Sequence, residues 1–66
     1  MEKVIDYPNG DKYAGQIEEN KKEGIGAYTF KSGAKYEGQF HDDKRHGRGI
    51  YYFTNGDVMV GSWDNG

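Results

Sequence analysis

Apolar and polar positions alternate with period two over six short stretches of this chain, and no stretch sustains a helical period. The alternation predicts strands near 3–7, 12–18, 24–30, 35–41, 48–53 and 57–63. Asn9-Gly10 and Asn55-Gly56 fall between strands and predict two-residue hairpin turns, in which both central residues take positive φ. Ser32-Gly33 has the same position in the pattern and reads as a weaker version. The segments "EENKKEG" and "HDDKRHG" read as polar loops or bulged turns. Consecutive strands with short connections give an antiparallel meander.

Following one face of that meander collects Ile5, Tyr7, Tyr13, Gly15 and Ile17, then Gly24, Gly26, Tyr28 and Phe30. Tyr36, Gly38 and Phe40 come next, followed by Gly47, Gly49, Tyr51 and Phe53, and then Met59, Gly61 and Trp63. Nine of the ten aromatic residues belong to this face, and only Tyr52 points the other way. The opposite face carries Lys12, Ala14, Gln16, Lys35, Glu37, Gln39, Arg48, Ile50, Tyr52, Val58, Val60 and Ser62, a mixture that tolerates solvent. Interleaving glycine with aromatics has a physical use. A glycine offers a neighbouring ring a flat patch of main chain to lie on. Its conformational cost is about 0.5–1 kcal/mol, whereas covering a ring contributes about 1.5–3 kcal/mol. A sheet built this way can hold a thin core on one face and will twist around its rings.

The glycines and rings recur every 23 residues. Tyr13 falls on Tyr36 and Met59, Gly15 on Gly38 and Gly61, and Ile17 on Phe40 and Trp63. Gly24 and Gly26 fall on Gly47 and Gly49, Tyr28 and Phe30 on Tyr51 and Phe53, and Gly10 on Gly33 and Gly56. Ten of the eleven glycines are phased in this way, and Gly66 falls on Asp43 and Asn20. The spacing Tyr-x-Gly-x-(Trp or Phe)-x-x-(Gly or Asn)-x-x-x-Gly-x-Gly resembles the MORN repeat (membrane occupation and recognition nexus). Two full copies cover 13–35 and 36–58, a half repeat covers 3–12, and a partial repeat covers 59–66. Ile17, Asn20, Asp43 and Met59 depart from the pattern. The resemblance implies one β-hairpin per repeat. With the alternation it predicts a single all-β domain, 1–66, folded as a single-layer twisted antiparallel meander of 23-residue hairpins.

Composition narrows the chemistry. The 66 residues suffice for one small domain, leucine is absent, and net charge is −2. That balance argues against wholesale nucleic-acid binding. Cysteine is absent, which excludes disulfides and thiolate metal sites. The longest apolar run is Ile50 to Phe53, too short for a membrane span. "MEKVIDY" lacks the hydrophobic region of a signal peptide. A cytoplasmic location is expected, at a membrane periphery if lipid is bound.

No residue set predicts catalysis. Ser32 sits in a turn and Ser62 on the polar face, and no motif places a base beside either. Gly24-Ile25-Gly26 and Gly47-Arg48-Gly49 lack the third glycine and the following helix of a phosphate cradle, so their recurrence reads as structural. His41 and His46 form no metal-ligand spacing and read as exposed. No cofactor or metal is expected. Tyr28, Tyr36, Phe40, Tyr51, Phe53 and Trp63 offer an aromatic groove for a partner segment or another copy, set against the plainer reading of structural packing. Lys44, Arg45 and Arg48 are candidates for acidic lipid headgroups, as the family name suggests, set against a solvated loop of mixed charge. "MVGSWDNG" supplies the outgoing strand of a third hairpin, so strand 57–63 is expected to present an open edge to a second copy or a longer neighbour. The function expected is a non-catalytic scaffolding module. The alternatives are a peripheral membrane module and an accessory fragment of a larger enzyme, since such repeats accompany kinase or methyltransferase domains.

Overall fold

The structure is a computed structural model and describes residues 1–64. Its strands are β1 (Glu2–Asp6), β2 (Lys12–Glu18), β3 (Lys21–Thr29), β4 (Lys35–His41), β5 (Lys44–Tyr52) and β6 (Val58–Trp63). All pair antiparallel in one sheet, in the order β1-β2-β3-β4-β5-β6. The expected all-β meander therefore forms, with β1 and β6 as its edges. No helix or second sheet covers either face among the described residues.

The two kinds of turn are exchanged relative to expectation. Gly10 N–H donates to the Tyr7 carbonyl at 3.1 Å and Tyr7 N–H donates to the Asp11 carbonyl at 2.9 Å, which closes a three-residue loop. The same bonds close the loops after Phe30 and Phe53. In each loop only the glycine has positive φ, at 99° for Gly10, 102° for Gly33 and 96° for Gly56. The Asn9 side chain accepts the Asp11 N–H at 2.9 Å, and Asn55 accepts that of Asp57 at the same distance. That local bond holds the asparagine outside the left-handed region. The two-residue turns with both centres at positive φ are Glu19-Asn20 (52° and 65°) and Asp42-Asp43 (53° and 71°). Consequently β3 starts at Lys21 and β5 at Lys44, not at 24 and 48. Most of the two expected polar loops is strand.

Each of these long strands carries a bulge. Gly15 pairs with Gly26 and Ile17 with Lys22, so Glu23, Gly24 and Ile25 together face Gln16. The next repeat matches it: Gly38 pairs with Gly49 and Phe40 with Arg45, so His46, Gly47 and Arg48 face Gln39. Gly24 and Gly47 take φ of 91° and 80°. The surplus N–H of Ile25 donates to Gln16 Oε1, and that of Arg48 to Gln39 Oε1, both at 2.7 Å. The glutamine side chain thus replaces the ladder bond that the bulge removes.

The core is a row of rings on one face. Tyr13 and Tyr36 are fully buried, with Ile17 and Phe40 nearly so. Tyr13 lies across Gly26 and Tyr36 across Gly49, so closely that a Cβ on either glycine would strike the ring. The Tyr13 hydroxyl donates to the Gln16 carbonyl at 2.7 Å and that of Tyr36 to the Gln39 carbonyl at 2.9 Å. Each polar tip is satisfied while the ring body stays dry.

Two outcomes are expected. Gly49→Ala should lower stability by about 1–3 kcal/mol through overpacking. Gly61→Ala, where an added Cβ meets nothing within 4 Å, should leave the thermal midpoint unchanged. Burial pushes the phenols of Tyr13 and Tyr28 up to about 12. A raised native pKa stabilises the fold fully below the unfolded value, and that contribution is lost as pH rises through the native value. Circular dichroism should therefore show stability falling between the ordinary tyrosine value of 10.0 and about 12. A titration flat across that range would contradict it.

Candidate functional site

The nine rings of the aromatic face form two parallel series. The inner series is Tyr13, Phe40, Tyr36 and Trp63, packed edge to face at centroid distances of 5.3, 5.2 and 5.1 Å. The outer series is Tyr7, Tyr28, Phe30, Tyr51 and Phe53, tilted against one another at 5.7, 5.0, 5.8 and 4.8 Å. The inner rings hold the sheet together. The outer rings are half-buried or exposed, and Phe53 is 42% exposed. Tyr52 stands on the opposite face, where its hydroxyl donates to Glu37 at 3.1 Å.

This division sorts the expected groove residues. Tyr28, Tyr51 and Phe53 lie in the outer series, where a ligand can reach them. Tyr36 and Phe40 are core, at 0% and 4% exposure, and Trp63 is a half-buried end of the inner series. Phe30 and Tyr7 complete the accessible strip and were not among the expected residues. Their signal was the period itself, because Tyr7, Phe30 and Phe53 are 23 residues apart.

A cation lies over ring faces in each full repeat. Lys22 Nζ lies over the rings of Tyr7, Tyr13 and Tyr28, 5.8, 5.9 and 5.4 Å from their centroids. The guanidinium of Arg45 lies over Tyr36 and Tyr51 at 5.8 and 5.7 Å. Lys22 and Arg45 are one period apart, and a cation over a ring face contributes about 0.5–2 kcal/mol. A cleft lined by Lys22, Tyr28, Phe30, Phe40, Asp43, Lys44 and Arg45 opens between the two. Arg48 lies apart from it. It pairs with Ser62 and lines a depression on the opposite face with Glu37, Ile50 and Val60. The three candidate lipid contacts, Lys44, Arg45 and Arg48, therefore share a strand but no single face.

The hairpin tips are joined by charge. Lys21 Nζ lies 2.8 Å from Asp42 Oδ1, and Lys22 Nζ lies 3.5 Å from Asp43 Oδ1. Asp43 Oδ1 also accepts the Lys22 N–H at 2.8 Å, and Asp43 N–H donates to the Lys22 carbonyl at 3.0 Å. Glu23 binds His41 Nδ1 at 2.8 Å and the Asp42 N–H at 3.1 Å. That hydrogen bond raises the His41 pKa and lowers that of Glu23. His46 Nδ1 and Asp64 Oδ1, 3.8 Å apart, occupy the equivalent positions one repeat on. Gly24-Ile25-Gly26 and Gly47-Arg48-Gly49 lie inside strands at the bulges, and Ser32 accepts the Ala34 N–H at 3.4 Å within its loop.

The sequence model of the MORN repeat matches residues 13–35 and 36–58. The chain belongs to the MORN repeat family. The matched boundaries coincide with the two full copies identified from the glycine period. MORN repeats are generally protein or membrane interaction modules, and the family is a non-enzymatic repeat family. No curated protein matches the chain.

The tip contact has a defined pH window. Charged His41 contributes fully below its ordinary value of 6.5 and loses that contribution as pH rises through its raised native value. Ionised Glu23 contributes above 4.5 and loses it as pH falls through its lowered native value. Hydrogen exchange at the Asp42 amide should be slowest between those limits and accelerate on either side. His41→Gln should remove the alkaline limb while leaving the acid limb. If exchange at Asp42 ignores pH beyond its intrinsic dependence, the coupling is absent.

Proposed function

We propose that the domain is a non-catalytic interaction and scaffolding module that receives an extended, apolar segment of a partner protein on its outer ring strip. The observation that carries this reading is the row Tyr28, Phe30, Tyr51 and Phe53, which adjoin in space with no second layer of the sheet above them among the described residues. Accessible ring faces bury much apolar area in a contact and favour such partners. Tyr36, Phe40 and Trp63 support the surface from beneath and act on binding through the fold. Hydrogen bonds already occupy the tip of Tyr28, which donates to Asp11 at 2.7 Å, so its contribution to a ligand is the ring face.

A peripheral membrane role through Lys44, Arg45 and Arg48 has less support, because Arg48 faces away from Arg45. The same applies to an accessory role in a larger enzyme, for which the described residues supply no distinguishing feature.

The test compares wild type with Phe30→Ala and Phe53→Ala, both chosen because these rings lie outside the buried core. Protein captured from a lysate by wild type should be lost with either variant, while circular dichroism stays unchanged. Undiminished capture by both folded variants would remove the reading. Co-sedimentation with acidic and neutral vesicles separates the lipid alternative, which requires binding to acidic vesicles alone and its decline with salt.

A further inference from the structure

The ring strip is not electrically neutral. Its cleft holds three cationic side chains, Lys22, Lys44 and Arg45, against one carboxylate, Asp43. That is a local balance of +2 in a chain whose net charge is −2. The cleft spans three strands. Lys22 projects from β3 and Arg45 from β5, two strands apart, and Phe40 of β4 lies between them at 4% exposure. Its two ends differ. Lys44 begins β5 at the hairpin tip, next to Asp43. Phe30 follows β3 at the opposite loop, where it packs on Tyr28 and Tyr51. One end is therefore cationic and the other aromatic.

The molecule itself contains an example of the anion such a place accepts. Asp43 Oδ1 lies 3.5 Å from Lys22 Nζ and accepts the Lys22 N–H at 2.8 Å, while the same ammonium lies over Tyr7, Tyr13 and Tyr28. A carboxylate thus docks where a cation covers rings. The Lys22 side chain is only 15% exposed, and its charge is matched by this internal partner. Lys44 differs. It is exposed and enters no salt bridge among the described residues. Asp42, whose charge it also feels, is bound by Lys21 at 2.8 Å. The tip end of the cleft is therefore where an incoming negative group meets a cation that no carboxylate of the described chain holds.

We propose that the partner segment received by the outer rings carries a carboxylate side chain that enters the tip end of this cleft, against Lys44 and beside Arg45, while an apolar side chain two residues away packs on Phe30 and Tyr28. Side chains at i and i+2 of an extended chain point to one side, so a single face of the segment meets both ends. The class recognised is an apolar protein segment with Asp or Glu at that spacing. A carboxylate suits the cleft better than a phosphate dianion, because Asp43 stays on its wall and repels added negative charge. This inference rests on the ring-strip reading above and gives its partner a chemistry.

The probes are blocked synthetic peptides that repeat the pattern Phe-Ser-Glu-Ser, and the same peptides with Gln or Lys in place of Glu. Calorimetry at low salt should find the Glu peptide bound about tenfold more tightly than the Gln peptide, with the Lys peptide weakest. The gap should shrink as salt is added. Lys44→Gln removes an exposed side chain, so its circular dichroism should not change, and it should cut the Glu preference several-fold. Lys44→Glu should turn the preference toward the Lys peptide. Phe30→Ala should weaken all the peptides alike, which reads the rings separately from the charge. Equal affinity for the Glu and Gln peptides, both weakened by Phe30→Ala, overturns this proposal and leaves the ring reading standing. A Glu preference that survives both Lys44 variants also overturns it. Binding of no peptide removes both readings, and acidic vesicles that then bind through Lys44 would assign the cleft to lipid.

Discussion

A tyrosine ring pressed onto a glycine of the neighbouring strand is the constraint from which this structure is built. Tyr13 on Gly26 and Tyr36 on Gly49 each join two strands through a contact that tolerates no intervening Cβ. The contact sets the register, because a slip of one residue would put a side chain beneath the ring and turn the row of rings to the opposite face. It also allows a core one layer deep. A ring lying flat on main chain excludes water with far less thickness than interlocking aliphatic side chains need.

The bulges and tips supply what the rings cannot. Three residues of a long strand opposite one glutamine would leave an N–H without its partner, and the glutamine side chain accepts that N–H in both repeats. The acidic tip of the second hairpin closes on the basic start of β3, so successive hairpins are tied at one end by charge and along their length by backbone bonds. Every such tie joins chain neighbours. Stability in a structure of this kind is a sum over adjacent units and their interfaces.

Much of the fold was legible because two independent signals agreed. Alternation placed nine rings on one face, and the 23-residue period placed the glycines under them. Turn chemistry misled at Asn9 and Asn55, where a side chain engaged with its own backbone leaves glycine alone at positive φ. It misled again at Glu19-Asn20 and Asp42-Asp43, because Glu19 is an unusual residue for a left-handed centre and the tip contacts that hold such turns are not local in sequence. The candidate surface was half legible. Period and face are sequence properties, so Tyr28, Tyr51 and Phe53 could be named. Depth is not: Tyr36 and Tyr51 both alternate inward, yet only the first is covered on all sides. The placement of Lys22 and Arg45 over rings depends on strands reaching the tips, which the loop reading of those segments concealed.

Each repeat advances the sheet by two strands, about 9–10 Å at ordinary strand spacing. Lys22 and Arg45, with the rings around them, are displaced by that step. An extended polypeptide rises about 3.3 Å per residue. A chain laid across the strands would therefore meet an equivalent chemical environment at about every third residue.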